Sequence, residues 1–97
     1  MSASGSGVFE TSLLTLNGRE LALNFATSAG GSVSVEALDA NGRVISGYAK
    51  SDCVPLIGDF LVKRVMYKRA TLKALGNRPV SLRFHLIEAD IFAMEVV

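Results

Sequence analysis

Tryptophan is absent from this chain, and cysteine and histidine each occur once among its 97 residues. A lone Cys53 cannot form an intrachain disulfide, so the fold has to be held by packing. Zinc needs several Cys or His ligands at short spacing, and Cys53 and His85 are far apart in sequence. A nucleophile needs a base beside it, and the only histidine falls on what should be the outward face of a strand, so no Ser-His-Asp arrangement can be assembled. Cys53, next to Val54 and near Leu56, reads as a buried, inert thiol. No apolar run reaches the ~18 residues of a membrane span, and no basic-then-apolar leader reads as a signal peptide.

Excess charge of either sign is lacking too. Ten Lys and Arg against nine Asp and Glu leave a net charge of +1, too little to draw a nucleic-acid backbone or an anionic membrane. The one basic cluster, Lys63, Arg64, Lys68 and Arg69, reads as a solvated surface and lacks the interleaved aromatic rings of single-strand binders. Glu10, Glu20, Glu36, Glu88 and Glu95 are spread as surface charges. Asp39, Asp52, Asp59 and Asp90 could in principle serve calcium as loop carboxylates, but without EF-hand spacing they read as turn-forming and solvated. No catalytic residue, metal or cofactor is expected. Gly30-Gly31 leads into a strand pattern and not a helix, so it reads as a turn and not a phosphate cradle.

What remains is hydrophobic alternation. Nearly half of the residues are apolar and a fifth charged (49% and 20%), the composition of a chain that folds. Met1 to Gly7 are small and flexible after the methionine and read as a linker, leaving residues 8–97 as one domain. Val8 to Leu16 reads as extended and closes on Asn17-Gly18, a dipeptide suited to a tight hairpin turn. Leu21, Leu23 and Phe25 alternate with smaller residues, as do Val33, Val35 and Ala37 after a turn at Ser28 to Gly31. Asp39 to Gly42 reads as an Asx turn, followed by a short strand over Arg43 to Ile45. Ser46 to Asp59 is irregular. Phe60 to Tyr67 is β-rich, Ala70 to Leu75 reads as one helical turn, and Val80 to Leu86 and Phe92 to Val96 alternate again. Phe25, Phe84 and Phe92 are assigned to the core. Together these patterns predict an all-β, two-sheet antiparallel sandwich, jelly-roll-like, of about seven to eight short strands.

Sugar-binding surfaces are built from exposed rings with polar neighbours. The candidates are Tyr48 and Tyr67, the second followed by Lys68 and Arg69. The terminal strand from Phe92, with Glu95 its only charge, is an edge open to homodimer pairing.

The runs Leu21 to Glu36, Asp39 to Gly42, Asp52 to Asp59, Pro79 to Phe84 and Glu88 to Phe92 resemble the C-terminal β-sandwich domain of bacterial proteins similar to family 32 glycoside hydrolases. The resemblance extends from about Leu14 to Val97. It implies a non-catalytic accessory domain of a secreted or periplasmic carbohydrate-active enzyme, packing on a catalytic β-propeller and touching glycan weakly. A carbohydrate-binding module proper, or a stand-alone structural or self-assembling interaction domain, are the alternatives. Where such domains have a tryptophan before a polar turn, this chain has Met66-Tyr-Lys-Arg69.

Overall fold

The computed structural model describes residues 1–59 and 61–97; Phe60, the first residue of the β-rich segment expected to end at Tyr67, lies outside them. Among the described residues four strands, β1 (Ser2–Glu10), β2 (Leu21–Leu38), β3 (Leu61–Arg64) and β4 (Ser81–Val96), form one antiparallel sheet in the order β1-β4-β2-β3. A 3-10 turn at Leu72–Leu75 falls where a helical turn was expected and ends at Gly76, whose φ is 59°.

The strands are fewer and longer than the expected seven or eight, in part because the turn read at Ser28 to Gly31 is a bulge. Ser28 to Gly31 does not separate two strands. Thr27 pairs with Ala89 and Ser32 with Ile87, so the four residues 28–31 face Glu88 alone and β2 continues for 18 residues. Glycine serves a turn and a bulge alike. Gly30 has a φ of 78°, and a Cβ on Gly31 would fall 2.6 Å from the carbonyl oxygens of Ile87 and Glu88. A second register shift in the β2–β4 pairing keeps β4 continuous through Phe92. Phe92, assigned to the core by alternation, is 53% exposed. The expected strand over Arg43 to Ile45 reduces to a single bridge, Leu38 to Val44.

Pairing also differs at the start of the chain. Ser2 to Gly7, read as linker, are strand residues of β1, with Ser2 opposite Asp90 and Gly7 opposite Leu86. Small residues make poor cores, but their backbone pairs as well as any other when a neighbour supplies the ladder. Asn17 and Gly18 take positive φ (52° and 72°) and Arg19 N–H bonds to Leu16 C=O at 3.0 Å, a type I′ geometry. The turn forms as read, yet β1 and β2 do not pair with each other; each pairs with β4.

The inward faces follow the alternation. Leu21, Leu23, Phe25, Val33, Val35 and Ala37 from β2 meet Leu82, Phe84, Leu86 and Ile91 from β4, and Tyr48, Cys53, Leu56, Val65, Tyr67 and Leu72 close the same core. Burying side chains of this size contributes roughly 1.5–3 kcal/mol each. The Asx turn is present: Asp39 Oδ1 accepts from Asn41 N–H at 2.9 Å and Arg43 N–H at 3.0 Å.

Candidate functional site

Tyr48 and Tyr67 were the expected ligand platform, and the structure moves both into the core, each 6% exposed. Their rings meet edge to face at 5.0 Å. The Tyr67 hydroxyl donates to Val35 C=O and the Tyr48 hydroxyl to Thr71 C=O, both at 2.6 Å. A buried phenol needs such a partner, and the irregular segment supplies the room for it. Burial raises the Tyr67 hydroxyl far above the ordinary phenol range and also raises that of Tyr48. Neither ring can stack on a sugar in this arrangement. Lys68 and Arg69 stay exposed, so the four candidates do not share one surface.

Cys53 is buried and unpaired. Its sulfur accepts Val35 N–H at 3.4 Å, and burial pushes the thiol pKa up, which suppresses the reactive thiolate.

The sheet face opposite the core holds an ion-pair ladder that sequence reading missed. Glu10, Arg83 and Glu36 are aligned across β1, β4 and β2. Arg83 Nε donates to Glu10 Oε1 at 3.0 Å and its Nη1 to Glu36 Oε1 at 3.4 Å. His85 Nε2 lies 2.5 Å from the same Oε1, and Lys50 N–H donates to Glu36 Oε2 at 3.1 Å. Glu36 is 8% exposed. Burial pushes its carboxyl up, but the His85 contact, the Lys50 N–H and the nearby cationic groups outweigh that and leave it below the ordinary carboxylate range. Both carboxylate oxygens are occupied by structural partners. Ser34 is opposite His85 in the register but shares no hydrogen bond with it among the described residues, so no nucleophile is poised on this face.

The acidic turns do not converge on an ion. Asp39 caps its own turn, Asp52 Oδ2 accepts Ala49 N–H at 3.3 Å, and no group of three or more His, Cys, Asp or Glu among the described residues is arranged to hold a metal. Asp59, Glu88 and Asp90 border a cavity of about 410 Å³ near the β2 bulge, where Glu88 Oε1 is engaged by Gly5 N–H at 2.7 Å.

The flank at β3 is different in kind. All four β3 residues are exposed, with Val62 at 68%; Met66, two residues beyond the strand, is 60% exposed, and Ile57, in the segment before it, 59%. Val54, Pro55, Leu56, Lys63, Arg64 and Met66 line a groove of about 250 Å³. No family model, curated protein or solved structure matches the chain. The site is therefore read from its own chemistry: apolar side chains left in water, with cations beside them and, among the described residues, no cluster arranged to hold a metal. Sequence signalled this flank as the basic cluster Lys63, Arg64, Lys68 and Arg69, read as a solvated surface, and not as an apolar groove.

Proposed function

We propose that this protein is a non-catalytic interaction domain that works by packing its β3 flank against a protein surface. The observation that carries the reading is the exposure of Val54 and Met66 along an apolar groove, with Val62 exposed on the strand that borders it; apolar surface left in water is where proteins dock. The role fits an accessory domain of a carbohydrate-active enzyme, as the resemblance implies, with packing and not glycan contact as its work. The same resemblance fits the two halves of β2 as opposed layers of a sandwich. In support, residues on either side of the bulge share one core, and Tyr67 reaches Val35 while Val65 N–H bonds to Leu21 C=O.

The test is a photo-crosslinking amino acid placed at Val62, and separately at the exposed Val8 on β1, with adducts formed in extracts of the source cells. One discrete protein adduct from position 62 and none from position 8 supports docking. Equal, diffuse labelling at both, or saturable retention of the folded domain on a glycan gel, rejects it. A second reading, self-association through the end of β4, is favoured by the exposure of Met94 and Val96. Light scattering showing a monomer at high concentration removes it.

A further inference from the structure

The backbone of β3 has one edge committed and one open. Val65 N–H bonds to Leu21 C=O at 2.9 Å, and the register puts Arg64 opposite Ala22 and Leu61 opposite Phe25. In an antiparallel ladder alternate residues bond to the same neighbour. Leu61, Lys63 and Val65 therefore face β2, while Val62, Arg64 and Met66 turn their N–H and C=O groups outward. At Met66 the chain supplies its own outer partner, because Val54 N–H donates to Met66 C=O at 2.8 Å. That pairing stops at once. Pro55 has no N–H to give, and Leu56 turns away to exchange two hydrogen bonds with Val33. Among the described residues nothing covers Val62 and Arg64 on this side.

The open stretch borders the groove between Val54 and Met66, whose other walls are Lys63 and Arg64. The salt-bridge contacts of the described residues are made by Arg83 and the His85 ring, so Lys63, Arg64, Lys68 and Arg69 form none. An edge with free backbone groups, an apolar slot and uncompensated positive charge is complementary to an extended segment in which acidic and apolar residues alternate.

We propose that the outer edge of β3 accepts such an acidic segment of a partner protein as an added strand. Its backbone bonds to Val62 and Arg64, its apolar side chains lie on one face and enter the groove, and its carboxylates, all on the other face, meet whichever of Lys63 and Arg64 the register places there. This rests on the docking reading above and names the partner's chemistry. The competing account of the same residues is that cations on a short edge strand repel other strands.

The experiment titrates the isotope-labelled full chain with a pool of capped hexapeptides alternating Glu with Val or Ile. Three controls run beside it: the same pool with Lys for Glu, an N-methylated pool, and vesicles of mixed neutral and anionic phospholipid. The expected result is slowed amide exchange at Val62 and Arg64, with shift changes confined to residues 54–56 and 61–66. Affinity should fall about tenfold or more for the Lys pool and for the Lys63→Glu/Arg64→Glu variant, as loss of paired charges at a partly covered site allows. N-methylation in one register should abolish binding. Because both substituted side chains are exposed, the variant's amide spectrum checks its fold, and Lys63→Gln provides a milder version. Equal binding of the Lys or N-methylated pool, shifts mapping elsewhere, binding to vesicles alone, or no binding would each overturn the proposal. If the peptides are silent while the crosslinker at Val62 still traps one protein, strand addition fails and docking stands; silence in both removes both.

Discussion

Placing a methyl group at Gly31 should damage this protein more than placing one at its neighbour Gly30, for a reason that can be worked from distances. At Gly31 the new Cβ would sit 2.6 Å from the carbonyl oxygens of both Ile87 and Glu88 and 3.0 Å from that of Ser28. These are backbone atoms, so relief requires β2 and β4 to part at the bulge. Overpacking costs about 1–3 kcal/mol and each opened ladder hydrogen bond about 1 kcal/mol, which puts Gly31→Ala at roughly 3 kcal/mol. At Gly30 there is open space, but φ is 78°, and a side chain there costs about 1–2 kcal/mol. Urea unfolding with an m-value of about 1 kcal/mol/M resolves the difference: the midpoint should fall by roughly 3 M for Gly31→Ala against 1–2 M for Gly30→Ala. Asparagine, which tolerates positive φ, should recover part of the loss at Gly30 and none at Gly31. Equal midpoints for the two alanine variants would refute the close-approach account of the bulge.

The remaining expectations concern the core, the ladder and the first strand. Tyr67→Phe leaves Val35 C=O without its hydroxyl donor and should cost about 1–2 kcal/mol by chemical denaturation; a neutral result would mean the hydroxyl does not anchor the core. Glu36 has a folded pKa below its ordinary value of 4.5. Its contribution is therefore fully present above that value and is lost as pH falls through the folded pKa. Glu36→Gln should flatten the fall in melting temperature below about pH 5, and a parallel acid limb in the variant would contradict this. Cys53 should resist a thiol reagent in the native state and react at once in denaturant, at a native rate that tracks unfolding. Deleting Met1 to Gly7 should lower stability by on the order of 1–2 kcal/mol by uncovering the β4 edge, whereas a free linker would leave the unfolding midpoint unchanged.

Local patterns carried well from sequence wherever one face of a strand decides the residue. Leu21, Leu23 and Phe25, and again Val33, Val35 and Ala37, face inward as their spacing requires, and the Asp39 turn and the 3-10 turn lie where their residues place them. Pairing was less legible, because it depends on which distant strand offers a ladder. Asn17-Gly18 specifies its own dihedrals but not the partner of the strands it joins. Ser28 to Gly31 has the composition of a turn, and only the nearness of Ile87 and Glu88 makes it a bulge. The two tyrosines were misplaced because a ring with a polar tip suits either a wet groove or a core with a spare carbonyl, and Val35 and Thr71 supply the carbonyls. Glu36 was missed since its burial depends on Arg83 and His85, which reach it only through the β2–β4 register.

The strand order also sets a timetable. β4 lies between β1 and β2 and is the latest of the four in chain order, so during synthesis β1 has no ladder partner, and β2 only the four residues of β3, until residues 81–96 have left the ribosome. The Asn17-Gly18 turn can form early, but it brings together segments that do not pair. Such a chain accumulates unsatisfied strands first and resolves them late, through contacts distant in sequence that are slow to close. A ribosome-bound chain halted before Ser81 should consequently be protease-sensitive along its whole length, and protection should arrive in a single step once β4 is free to enter the sheet.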